Sequence, residues 1–535
     1  MAIRLSGFKG QFPHITPRLL DPSAAIECID AILEDGTIKP IRGTTAVHTF
    51  GSDMASFVQF GGSWIGFAAD TYAVPGPVAA DRLYIADGVK PKMKVGATTY
   101  DLALPPPLNP ATTETLGTLN PDLIESVTYV YTWVTGFAEE SAPSPTSYLI
   151  DWSPGLTVRL TAMDAAPAGR NITLRRIYRS QTSASGVTDF YFVAELPAAT
   201  LTYDHDLDLA PIQNVLPTAE YDEPANGLTG IIALPNGGMA GFRGKELMFA
   251  EPYRPHAWPT KYRRTVDYEI VALVAFGSSV AILTKGTPYM GQGRSPADFV
   301  IEKMESGLPC VSARGVVDLG YAAAYPSNDG LVTISPQGAQ IATAGLFTRK
   351  QWRSMNPSSF AAAQSEGRYV FSHQVGASRA MGIIDLTMEA PFFTRTSDVA
   401  GQMIYDQTDA EVYILTGLRV VNRWNDVAAA VRTATWRSKV FNLVSPESFG
   451  AAQIDIDPPL GAAAIGVPAA DAAPVLSLAC RVFANETLVA TITEANRPVR
   501  MPGQNLAERW IVEIITNTPV VGFAMAGTIE GLGTG

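Results

Sequence analysis

Between Leu228 and Asn425 the chain repeats one pattern: an apolar strand, a polar turn, a second apolar strand, then Gly or Pro. Met239 to Phe242 turns through Arg243-Gly244-Lys245-Glu246 into Leu247 to Ala250. Ile270 to Phe276 turns at Gly277-Ser278-Ser279 into Val280 to Thr284, and Gly320 to Tyr325 turns at Pro326 to Gly330 into Leu331 to Ile334. Ser359 to Gln364 leads into Tyr369 to Phe371 with Gly382 to Asp385 as a third strand, and Gly401 to Tyr405 leads into Val412 to Thr416. An upstream unit has the same form: Phe57 to Phe60, a turn at Gly61-Gly62-Ser63, Trp64 to Phe67, then Arg82 to Ile85. Unit starts recur at roughly 30 to 50 residues, the period of propeller blades. One four-stranded blade cannot bury both faces, so the pattern predicts an all-β chain with a β-propeller of about six blades.

The flanking segments have other textures. Residues 1–50 read as an N-terminal arm in which Phe8, Phe12, Leu19 and Leu20 sit on a Pro-broken strip, with a short helix expected from Pro22 to Leu33. The arm packs on its own domain or docks on a neighbouring subunit; exposed apolar anchors favour the second. Residues 51–110 hold the first blade and end in a stiff linker, Leu104 to Pro110. Residues 121–215 alternate with period two, as in Val127, Tyr129, Tyr131 and Trp133, and carry an extended strip from Glu139 to Ser147 suited to a sheet edge. This segment predicts an inserted immunoglobulin- or fibronectin-like β-sandwich. Residues 216–430 hold the remaining blades, with a helix expected at Asn425 to Ala434, and 431–535 a C-terminal β-sandwich.

Composition narrows the function. The chain has 535 residues, is 17% charged, and carries a net charge of −12, which disfavours nonspecific nucleic-acid binding by the molecule as a whole. Cys28, Cys310 and Cys480 are dispersed and odd in number, so they suit buried thiols of a protein made in a reducing compartment. Neither a signal peptide nor a long enough apolar run is visible, so a soluble protein folded in the cytoplasm is expected. Gly244-Lys245 lacks the remainder of a phosphate loop, and the histidines have no metal-ligand spacing. Asp204, Asp206 and Asp208 alternate, but Leu209 and Val215 stand where a calcium loop needs Gly and Glu. No cofactor, metal or catalytic residue is expected. The most basic window, Tyr253-Arg254 through Trp258 to Arg263-Arg264, interleaves cations with aromatics. It reads as nucleic-acid contact or as an inter-blade or inter-subunit loop with Tyr253 and Trp258 as packing anchors and its arginines paired to acids, and the acidic net charge favours the loop.

Several of these stretches resemble virion tail proteins of short-tailed, podovirus-like phages. The carriers are Phe8-Lys9-Gly10, Leu33 to Gly36, Arg42-Gly43, Arg82 to Gly88 with Pro91-Lys92-Met93, Glu140 to Ser144, Ile177 to Ser180, Glu251 to Pro259 and Trp436 to Lys439. The resemblance implies a tail tube or nozzle subunit in the virion. Such a subunit forms a hexameric ring below portal and adaptor proteins and passes double-stranded DNA without reading its sequence. The expected mechanism is a channel between subunits with an acidic wall, and Arg263-Arg264 facing acids at the subunit contacts. The competing classes are a carbohydrate- or receptor-binding tail propeller and a propeller hydrolase.

Overall fold

The computed structural model describes residues 2–182, 188–206, 214–388, 390–457 and 477–533; Asp208 lies outside them. The described chain is almost entirely β, with two short α-helices, Arg349–Ser354 and Glu530–Gly533. Among the described residues no helix is long and apolar enough to cross a membrane. Two compact units divide it: Met1–Ala55, Leu283–Pro288 and Lys303–Gly535, and Ser56–Ile282 with Tyr289–Glu302.

In the unit built on Ser56–Ile282, three antiparallel four-stranded meanders follow one another. The first comprises Tyr72–Pro75, Arg82–Ala86, Lys92–Val95 and Thr98–Asp101. The second comprises Thr229–Ala233, Met239–Arg243, Glu246–Phe249 and Arg264–Thr265. The third starts with Ile270–Phe276. Their first strands lie side by side. Tyr84 and Met93 meet Leu228, Ile231 and Met248 between the first two, and Phe242 and Leu247 meet Ile270 and Val280 between the next two. Burying both faces of each sheet in this way gives each meander the partner it lacks alone. Gly230, at φ +58°, lies where a Cβ would come 2.0 Å from the Phe242 ring, so only glycine fits. The hairpin Ser56–Phe60/Ser63–Phe67, read from sequence as part of the first blade, forms its own two-stranded sheet; the four-stranded sheet begins at Tyr72.

The segment between the first two meanders forms three small sheets around Tyr129, Tyr131, Trp133, Trp152 and Leu160. Leu104 and Ala111 belong to this core, so the Pro-rich stretch read as a linker is its opening edge. Every residue of Tyr129–Thr135 is buried. One edge of that strand pairs with Ile172–Thr182, and the other is covered by the strip Glu139–Ser147. Ser141, Ser144 and Ser147 each donate their N–H to, and through Oγ accept the N–H of, Trp133, Tyr131 and Tyr129 in turn. The serine spacing of three is that of an extended proline helix, so Pro143 and Pro145 fall between the bonding positions.

The other unit also contains three consecutive four-stranded meanders, starting at Val317–Asp318, Ala361–Ser365 and Gln402–Asp406, again with neighbouring first strands. The last comprises Gln402–Asp406, Glu411–Thr416 and Val420–Arg423, and its fourth strand is Thr45–Thr49 from the other end of the sequence. The N-terminal arm is built into sheets. Ala2–Ser6 pairs with Val520–Ala526, and Lys9–Gln11 joins Ala24–Ile29, which pairs with Ala434–Ser438. The C-terminal β layer therefore includes the arm rather than standing alone.

Two expected helices are absent. Ala24–Ile29 and Ala31–Ile32 are strands, because the period that buries Ala25, Cys28 and Ala31 is satisfied by pairing with distant strands. Asn425 to Ala434 is mostly loop before the strand Ala434–Ser438. Arg42 Nη1 takes the carbonyls of Val427 and Ala429 at 2.9 and 3.0 Å, and Asp426 takes the Ala428 N–H.

Candidate functional site

The basic window leaves the second meander after Phe249 and returns as Arg264–Thr265. Its base is held inside the chain. Trp258 is buried, with Nε1 donating to the Pro255 carbonyl at 2.8 Å and its N–H to Asp222 at 2.7 Å. Thr260 bonds Asp222 Oδ2 through N–H and Oγ, Lys261 pairs with Glu220, and the Tyr262 hydroxyl donates to Glu251 at 2.9 Å. Tyr253 adopts φ +59° and donates its N–H to Gly237. A Cβ on Gly237 would sit 2.4 Å from the Tyr253 ring. This conformation turns Tyr253 and Arg254 outward.

Beneath the loop lies a buried charge network. Glu139 accepts Arg170 at 2.5 Å and faces Arg82 at 3.5 Å. Glu140 accepts Arg176 at 2.7 Å, the Tyr178 hydroxyl at 2.6 Å and Thr132 Oγ1 at 2.7 Å. Arg170 also donates to the Asp101 carbonyl at 2.7 Å. His256 is buried, its Nε2 3.0 Å from the Glu140 carbonyl, which makes that nitrogen the donor. Burial pushes its pKa down to about 4, against the pull of Glu139. The network joins the inserted sheets (Glu139, Glu140, Arg170, Arg176), the first meander (Arg82, Asp101) and the second (His256), and so sets the orientation of the insert. Both carboxylates are held by guanidinium groups and the imidazole is enclosed, so the arrangement is structural rather than acid–base machinery.

The structure separates the sequence-predicted site residues. Phe8 is buried edge-on to Trp436 at 4.9 Å, Phe12 packs on Phe392, and Leu20 is buried; only Leu19, 79% exposed, faces solvent in that set. Phe8 and Leu20 are therefore packed on their own chain, Phe12 is half-buried, and Leu19 stays exposed. Trp258 is likewise a core residue: it is a packing anchor between the first two meanders rather than a side chain open to a partner subunit. Arg264 donates to the carbonyls of Lys261, Arg263 and Pro296 rather than to acids, and Arg263 Nε has no partner among the described residues. Tyr253, 53% exposed, and Arg254 remain as the accessible pair. The sequence places Glu139 and Glu140 in an extended strip at a sheet edge and does not show that both are buried. A signal lay in Arg170, just before the neighbouring strand Ile172–Thr182, and in Arg176 on it, but their pairing with the carboxylates is visible only in the folded sheets.

Other chemistry is sparse among the described residues. No group of three His, Cys, Asp or Glu side chains is placed to hold a metal ion. All three thiols are buried and pushed up by desolvation, Cys310 to about 12.

No protein-family model and no curated protein sequence matches the chain. Solved structures align over long spans. A streptogramin B lyase structure is 10% identical over 66% of this chain and 97% of its own, with a TM-score of 0.27. PorZ, a surface component of the type-IX secretion system of Porphyromonas gingivalis, is 10% identical over 70% of this chain and 42% of its own, at 0.23. Chaetomium thermophilum Raptor is 9% identical over 72% of this chain and 29% of its own, at 0.28. At these scores the chain is similar to them only in its β-rich build, and its function is to be read from its own geometry.

Proposed function

We propose that this chain is a structural subunit of a ring-shaped conduit, the tail nozzle or tube of a short-tailed phage. In this reading the six meanders are propeller blades, the strand Thr45–Thr49 locks the last of them, and the segment near 112–206 is the inserted sandwich. The observation that carries the reading is the loop of the phage-like motif Glu251 to Pro259. It is pinned by Trp258 and His256 and presents Tyr253 and Arg254 outward. A rigid aromatic–arginine pair is the composition favoured at protein contacts. The proposed assembly is a hexamer seated on portal and adaptor proteins, with DNA passing between subunits. Six acidic chains carry roughly −70 charges, and a wall of that sign repels phosphate and lets the duplex slide. Native mass spectrometry and a cryo-EM map of the assembled particle test this. A ring that Tyr253→Ala with Arg254→Glu dissociates into folded monomers supports it. A monomer in the particle, or a channel wall dominated by Lys and Arg, rejects it. A second reading, a carbohydrate- or receptor-binding tail protein, draws on a cleft beside Tyr321, Thr333, Gln340 and Met388 in which no described lining residue is charged.

A further inference from the structure

The hairpin Leu331–Ser335/Gly338–Ile341, with Leu386, Met388 and Pro391, lines an open cleft of about 750 Å3. Thr333 and Gln340 are directly paired across the hairpin, so their side chains share one face, and Ser335 lies two positions along on the same face. Ser335 Oγ donates to Gln337 Oε1 at 2.8 Å, which leaves the Gln337 amide N–H groups free to donate elsewhere. At the mouth stands Tyr321, 66% exposed, following a turn in which Asp318 accepts the Gly320 N–H at 2.7 Å with Gly320 at φ +84°. Met388, also exposed, adds an apolar wall. Among the described residues, the hydroxyls of Tyr321 and Thr333 and the Gln340 amide make no hydrogen bond within the chain.

The chemistry of this lining is selective. None of the described residues that form it is charged, in a chain that is 17% charged. The described lining residues therefore offer no counter-charge to phosphate, sulfate, carboxylate or ammonium groups. They do offer an exposed aromatic face, a thioether and several hydroxyl and amide groups that can both donate and accept. The cleft's size is that of a small-ligand site. A neutral sugar matches all of this, with C–H faces that pack on an aromatic ring and hydroxyls that need mixed donors and acceptors. We propose that the cleft binds a short neutral oligosaccharide, with Tyr321 as stacking platform and Gln337, Gln340 and Thr333 as hydroxyl partners. The proposal gives chemical content to the second functional reading, and it holds whether or not copies of the chain close into a ring.

Saturation-transfer NMR and titration calorimetry on the full chain test it. The probes are neutral oligosaccharides of glucose, galactose and N-acetylglucosamine, with sialylated and sulfated oligosaccharides as charged counterparts. Saturable binding of a neutral probe is expected, weakened roughly tenfold by Tyr321→Ala or by Gln340→Ala and largely kept by Tyr321→Phe. Both sites are exposed, so thermal unfolding should not change. Three outcomes overturn the proposal: no saturable binding of any neutral probe, preference for the charged ones, or binding unaffected by either alanine substitution. Native mass measured on the same samples keeps the two functional readings apart, because loss of the ring with sugar binding retained counts against the conduit alone.

Discussion

At the scale of single residues, the pair Glu139–Arg170 stands out, because neither side chain reaches water and each balances the other. Removing one partner of such a pair typically costs about 3–5 kcal/mol, since the remaining charge stays buried. Glu139→Gln should therefore lower the urea midpoint of the unit built on Ser56–Ile282 markedly. Replacing Glu139 and Arg170 together by Gln and Met should recover much of the loss. A double variant as unstable as the sum of the singles would show that the pair is not coupled. His256 makes a separate, pH-dependent contribution. Its folded pKa lies near 4, below the ordinary value of 6.5, so between those values the unfolded chain binds the extra proton. Stability is then full above about pH 6.5, declines as pH falls toward 4, and levels off below, a loss on the order of 3 kcal/mol. His205, lowered to about 4 mainly by burial and bonded to the Tyr129 hydroxyl at 2.9 Å, acts in the same direction. His256→Gln should flatten the decline in midpoint measured from pH 7 to 4. An unchanged slope would place the titrating group elsewhere.

Among the elements, the strip Glu139–Ser147 shows how a Pro-containing segment can finish a sheet. Each of its three serines supplies both an N–H and a hydroxyl acceptor to the buried strand Tyr129–Thr135. Changing Ser141, Ser144 and Ser147 to Ala would leave three buried N–H groups unpaired, at about 1–3 kcal/mol each. Hydrogen exchange should then accelerate selectively at the amides of Tyr129, Tyr131 and Trp133, and equal acceleration across the insert would argue against a local role. The N-terminal strands set a different expectation. Deleting residues 2–20 removes Leu5 and Phe8 from the core they share with Trp436 and Phe523. The variant should lose cooperative unfolding of the C-terminal strands rather than merely dissociate. A deletion that melts like the full chain would mean the arm adds no stability.

For the whole molecule, the division into two compact units predicts two calorimetric transitions. Of the three histidines whose pKa burial lowers, His205 and His256 belong to the unit built on Ser56–Ile282 and His373 to the other, so lowering the pH from 7 to 5 should move the first unit's transition further than the second's. Equal movement of both would mean that the units unfold as one.

The sequence by itself determined the strand pairs. Apolar alternation, with turns at Gly277, Gly367 and similar positions, is written within a few residues of each strand, and the observed meanders fall on those segments. It also marked Tyr253 and Arg254, the two basic-window candidates that face outward. Only the tertiary structure decided which distant strands share a sheet: Thr45–Thr49 beside Val420–Arg423, and Ala2–Ser6 beside Val520–Ala526. It also decided that Trp258 is core and that Glu139 and Glu140 are buried. Pairings across hundreds of residues leave no local periodicity, and a carboxylate reads the same in sequence whether water or a guanidinium group balances its charge.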